Sequence, residues 1–212
     1  MLMETLTPPE TDTLLLDDVR GHLRLDSAED DAGLAVLART AEALMEAHLG
    51  AALVARDMVL SLDSFPASCS GTADRWWQGT REGPMSWLHA SARSFPLPLR
   101  PLISIASIEV WQAPGWQSWP ASNYNITPGL LPMLHLAAGT SWPVPSRERA
   151  GVRITARTGF GENWNAVPEL IRHALLQLVA YLYTHRGDEG AEDAVHASGA
   201  ASMVSQYRQV KL

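Results

Sequence analysis

Residues 152–186 read VRITARTGFGENWNAVPELIRHALLQLVAYLYTHR, and the change of period inside them sets the architecture. Val152, Ile154 and Ala156 alternate with Arg153, Thr155 and Arg157, the pattern of a strand with one buried face. Gly159 and Gly161 then interrupt it, as residues that reach positive φ without penalty commonly do. Leu170, Ile171, Ala174, Leu175, Leu178, Val179 and Leu182 follow at helical spacing, with Arg172, His173 and Gln177 turned away. Asn165 or Val167 is placed to cap that helix, Pro168 is tolerated in a first turn, and Glu169 suits the positive end of the dipole. A helix over 166–186 is about 30 Å long, enough for the spine of a small domain. The stretch is a structural core of strand, turn and helix without a catalytic signature.

Working outward, 13–50 reads as two helices. Thr13 can cap a short one whose face carries Leu15, Leu16, Val19 and Leu23. Ser27 to Asp30 resembles a capping box opening a second, striped by Leu34, Leu37, Ala38, Ala41, Leu44, Met45 and His48, with Gly50 at its C-terminal cap. Together with 166–186 these make a small bundle. Residues 55–157 change to period two. Met58, Leu60 and Leu62 alternate, and short strands are expected at 94–99, 103–111, 124–127 and 133–136. Seven prolines punctuate 96–132 and confine these strands to edges and short pairings. Residues 67–92 have no period and read as an insertion or functional loop. The fold class is therefore α+β: a helical bundle with an inserted small antiparallel β subdomain, in a single domain over 1–212. Residues 1–12 read as a mobile arm, and 196–212 as an arm that orders on a partner, its 198–202 part being small and flexible.

Composition excludes several functions. The net charge is −7, with fifteen Arg, one Lys and no basic run, which opposes non-specific DNA binding. The Arg bias fits either genomic base composition or bidentate protein interfaces. No apolar run reaches a membrane span, and the first residues lack a signal-peptide pattern. A single cysteine, Cys69, forbids an internal disulfide and a cysteine-rich zinc site, and fits a reducing cytoplasm. The seven His are scattered without ligand spacing. No nucleophile elbow or phosphate loop is present, and Asp30, Asp31 and Glu162 read as cap and loop residues. Hence no catalytic residue, metal or cofactor is expected. The eight Trp divide between core and interface. Trp111, Trp116 and Trp119 cluster on one hairpin, and Trp76, Trp77, Trp116 and Trp119 are the candidate interface aromatics.

In their order, several pieces resemble the head–tail connector (adaptor) proteins of tailed bacteriophages and related gene transfer agents. They are LDDVRGHLRLD at 16–26, Asp30 with Asp31, FPLPLRPLI at 95–103, GTSWP at 139–143, the 152–186 stretch with Gly159-Phe160-Gly161 and Val167-Pro168-Glu169, and Gln206-Tyr207-Arg208. Only 67–92 departs from the pattern. The resemblance implies a non-enzymatic virion protein, assembled in the bacterial cytoplasm. It would form a ring, usually of twelve copies, beneath the portal protein. It would join the DNA-filled head to a stopper or tail-completion protein and continue the DNA channel without specific binding. It also implies a portal-docking arm comprising Met203, Val204, Gln206, Tyr207, Arg208, Val210 and Leu212. The β subdomain would face the next tail component or a neighbouring subunit. The Trp clusters keep a second class open, a tail-associated glycan- or receptor-binding module. A small hydrolase has no positive feature in its favour.

Overall fold

A computed structural model describes residues 2–8, 14–65, 76–77, 80–81, 93–185 and 191–208; the side chains at 76, 77, 80, 81 and 191–193 are outside that description. The fold is α+β, divided into two compact units. One contains Arg56–Thr158 with Met1–Pro8, and the other Pro9–Ala55 with Gly159–Gln209.

The strands, in chain order, are β1 (Leu2–Thr7), β2 (Arg56–Leu62), β3 (Trp76–Trp77), β4 (Thr80–Arg81), β5 (Ser94–Pro96), β6 (Leu102–Gln112), β7 (Gly115–Ser118), β8 (Tyr124–Thr127), β9 (Met133–Leu136) and β10 (Val152–Thr158). They form a five-stranded sheet ordered β1-β2-β10-β6-β7, a three-stranded sheet β5-β9-β8, and the isolated pair β3-β4. All pairings within the named strands are antiparallel. The predicted alternation in β10 is observed: Val152, Ile154, Ala156 and Thr158 are buried while the residues between them are partly exposed. Leu60, Leu62, Ile108, Val152 and Ile154 of the large sheet share a core with Phe95, Tyr124, Leu134 and Leu136 of the small one. Loop residues fill the remainder: Phe65 stacks on Trp142 at 4.6 Å and meets Phe95 edge-on at 5.9 Å.

Two sequence expectations fail in this unit. The N-terminal residues are not an arm, because β1 hydrogen-bonds along β2 with Leu2 opposite Ser61 and Met3 opposite Leu60. Nor are all the strands short and peripheral. The proline-free run that becomes β6 is eleven residues long and lies between β10 and β7.

In the other unit, α1 (Leu16–Leu23), α2 (Asp31–Leu49), α3 (Glu169–Thr184), α4 (Ala191–Ala197) and α5 (Ala200–Met203) surround an aliphatic core. Leu34, Ala38, Ala41, Met45 and Leu49 of α2 face Ile171, Ala174, Leu175, Leu178 and Val179 of α3, the stripes read from the sequence. Gly50 caps α2 at φ 62°, as predicted. The N-terminal caps differ. Asp30 occupies the N-cap of α2 without a side-chain cap bond, and its carboxylate accepts from Tyr183 Oη at 3.1 Å. Pro168 is the N-cap of α3, its carbonyl accepting from the Ile171 and Arg172 amides at 2.9 and 3.0 Å. Asn163 instead caps a single 3₁₀ turn at Trp164–Ala166.

Gly159 is where the chain leaves β10. It sits at φ +138°, and a Cβ there would lie 2.5 Å from the Ala55 amide nitrogen. The Phe160 amide then donates to the Leu53 carbonyl and the Ala55 amide to the Gly161 carbonyl, fastening the start of this segment to the chain that follows α2.

Candidate interface surfaces

The outward face of the large sheet follows from its register. Arg153 lies opposite Ser61 on one side and Glu109 on the other, and Arg157 lies opposite Asp57. Side chains paired across strands share a face, so a row of charges crosses the sheet centre. Arg157 Nη1 is 3.3 Å from Asp57 Oδ1, and Arg153 Nη1 is 3.7 Å from Glu109 Oε2. Trp111 and Trp116 are also directly paired, in the β6–β7 hairpin, with ring centroids 5.5 Å apart and planes nearly perpendicular.

Two guanidinium groups complete this patch. Arg153 lies over the Trp116 ring, 4.3 Å from its centroid. Arg147, from the loop before β10, lies 4.5 Å from the Trp116 centroid and 4.6 Å from that of Trp111. Its Nε and Nη2 both donate to the Ala150 carbonyl, so the guanidinium plane is held in place. Cation–π contacts of this kind contribute about 0.5–1 kcal/mol at exposed sites. Of the residues in this patch, the sequence named only Trp116 as a candidate interface aromatic. Arg153 was legible as an outward strand position, whereas Arg147 lies in a stretch without a period.

Trp119, three residues on, has a different environment. Its amide donates to the Ile108 carbonyl at 2.8 Å, and its ring stacks on Tyr124 at 5.1 Å beside Phe65 and Trp142. It packs against the core of its unit. Trp76 and Trp77 pair through their backbones with Arg81 and Thr80, and their side chains are outside the described residues.

The C-terminal residues are more ordered than an arm. Val204 is fully buried with Ala194, Val195 and Ala200, and Met203 and Tyr207 pack against the same core. Tyr207 meets Phe160 edge-on at 6.1 Å. Gln206 and Arg208 are exposed, while Val210 and Leu212 lie outside the described residues. Within the small-residue run 198–202, Ala200 serves close packing, having no exposed surface. Close to this segment, the His48 and His196 rings stand 5.4 Å apart. Burial, then the charges of Arg208 and His196, push the His48 pKa down from its ordinary value.

Other polar groups hold strands together. Ser94 Oγ is 2.9 Å from His135 Nδ1, and Thr127 Oγ1 is 3.1 Å from Nε2, so both ring nitrogens are taken by hydroxyls of neighbouring strands. Burial lowers the pKa of Arg100 and raises that of Tyr124. Among the described residues there is no group of His, Cys, Asp and Glu able to hold a metal ion, and no helix long and apolar enough to cross a membrane.

No family model matches the sequence, and no curated protein matches it. Solved structures do. The chain is similar to one from the neck of an empty gene transfer agent particle computed with sixfold symmetry, at 23% identity and a TM-score of 0.71. It is also similar to one in the virion of a native gene transfer agent particle, at 24% and 0.72, and to one in the native neck computed with twelvefold symmetry, at 23% and 0.70. Each alignment covers 100% of this chain and 97% of the other. At these identities the likeness is one of fold.

Proposed function

We propose that this chain is a non-enzymatic head–tail adaptor of a phage or phage-like particle. It forms a ring of twelve copies beneath the portal, joins the DNA-filled head to a stopper or tail-completion protein, and continues the DNA channel. The observation that carries this reading is the end-to-end fold similarity to chains in gene transfer agent necks. The chemistry is compatible with it. A chain of net charge −7 without a basic run repels phosphate, as suits a wall that DNA must slide past. In this reading the exposed end of the C-terminal segment, with Gln206 and Arg208 and continuing to Val210 and Leu212, docks on the portal. Val204, Met203 and Tyr207 hold that segment to the helical unit. The glycan- or receptor-binding alternative loses its best stacking platform, because guanidinium groups already lie over Trp116 and Trp119 packs against its unit's core.

The test is co-sedimentation of the purified chain with the portal ring encoded in the same genome, followed by electron microscopy. A symmetric collar is expected, and binding should fall on Arg208→Ala or on truncation after residue 208. Deleting 197–212 is a poorer experiment, since it also removes Ala200 and Val204 from the core. A folded chain that never joins the portal would refute the reading.

A further inference from the structure

We infer that the Arg147–Trp116–Arg153 patch on the outer face of the large sheet is a self-association surface, receiving the acidic turn between α1 and α2 of a second copy. The inference rests on the adaptor reading and names the contact by which neighbouring subunits would meet.

The patch has the composition and rigidity of an interface centre. Trp and Arg dominate the energetics of protein interfaces, chiefly where they are held in place before binding. Arg147 is fixed by two bonds to the Ala150 carbonyl and by contact with two indole rings. Arg153 is held over the same Trp116 ring, and its ion pair with Glu109, at 3.7 Å, is loose. Its side chain is 41% exposed. Guanidinium groups held this way present donors to an incoming carboxylate with little further loss of freedom.

Charge complementarity selects the occupant. Residues 17–31 hold six carboxylates against Arg20 and Arg24. Asp18 accepts from Trp164, Asp30 from Tyr183, and Asp31 faces Arg20 at 3.4 Å. Asp26 and Glu29 are exposed in the turn, and Asp17 is 88% exposed despite its bond to Arg20. DNA is a poorer occupant, because two cations beside Glu109 on an acidic chain neutralise too few phosphates for useful affinity. The two surfaces differ and come from different parts of the chain, so they can meet head to tail, and such a contact generates a ring where its rotation closes.

The experiment places a benzoylphenylalanine photocrosslinker at Val144, which is 67% exposed and whose carbonyl accepts from Gln112 at the rim of the patch. This chain is mixed with isotopically labelled full-length chain at high concentration, alone and with portal rings, then irradiated. Cross-chain adducts within residues 15–31 are expected. Adducts elsewhere, or none across chains, overturn the proposal. In parallel, Arg153→Glu should weaken self-association about tenfold or more, and Glu29→Arg in the partner copy should restore it. Failure of that rescue with a folded Arg153→Glu chain also counts against the contact, and where the variant does not fold the crosslink decides alone. A collar seen under the portal with adducts mapping elsewhere sinks this interface and leaves the adaptor reading standing. Absence of any collar sinks the adaptor reading itself.

Discussion

The two units solve the problem of filling a core in opposite ways. The helical unit uses stripes of Leu, Ile, Val, Met and Ala, with Trp164 as the one buried aromatic among its described residues. Small residues such as Ala38, Ala41 and Ala174 let the facing helices approach closely. The β unit leaves a gap between its two sheets, and Phe65, Phe95, Tyr124 and Trp142 fill it with rings, Trp119 packing alongside. Phe65 and Trp142 come from outside the strands altogether. Helical packing is therefore written locally in each element, whereas the β core depends on residues that meet only once the sheets are in place.

Substitutions should separate these two modes. The largest effect is expected at the joint. Gly159→Ala puts a Cβ against the Ala55 backbone at an unfavourable φ, and should cost more than about 4 kcal/mol in urea unfolding. Phe65→Ala comes next, at about 3–5 kcal/mol, with loss of the near-ultraviolet dichroism generated by the Trp119–Trp142 cluster. In the helical unit, Asp18→Ala leaves the indole N–H of Trp164 without its acceptor at 2.9 Å. It should cost about 1–3 kcal/mol and change Trp164 emission, while the dichroism of the β unit persists. A Phe65→Ala chain that kept its aromatic dichroism would break the comparison.

The smallest effects concern pH, and they run in opposite directions. The lowered pKa of His48 means that its neutral form is favoured on folding. That contribution is full above the ordinary value of 6.5 and is lost as pH falls from there through the folded-state pKa. The raised pKa of Tyr124 acts on the other side, its contribution being full below 10.0 and lost as pH rises through the higher folded-state pKa. Melting curves should show His48→Gln flattening the acid slope and Tyr124→Phe the alkaline slope. Exchange of those two outcomes would reverse the assignment.

The legibility of the sequence follows the same division. The stripes at 34–45 and 171–179 and the alternation at 152–157 are short-range patterns that appear where they were read, whereas Leu170, read as part of the second stripe, is exposed. β1 was not legible, because LMETLT has little period of its own and becomes a strand only against β2. The last helices were missed for another reason: Ala200 and Val204 are buried by their neighbours, while their own stretch is poor in large apolar residues. The candidate surface shows both limits. Trp116 could be found as an aromatic residue on a hairpin, but its separation from Trp119 required the cross-strand partner Trp111 to fix the face. Arg147 could not be found at all, since a loop residue's neighbours are set by tertiary structure.

The pairing of Arg56 with Thr158 at the end of the β2–β10 ladder also bears on the order of folding. Residues 50–168 separate α2 from α3, and closing a flexible loop of that length costs on the order of 4 kcal/mol in chain entropy. Two helices docking alone would bear that cost at the outset. When the sheet zips first, the ladder has already brought Ala55 and Gly159 together, and α2 meets α3 as though joined by a short turn. The closure cost is then met once, by the ladder that pairs Val152 with Leu62, and the helical unit inherits a connection already made by strands to which it contributes no residue.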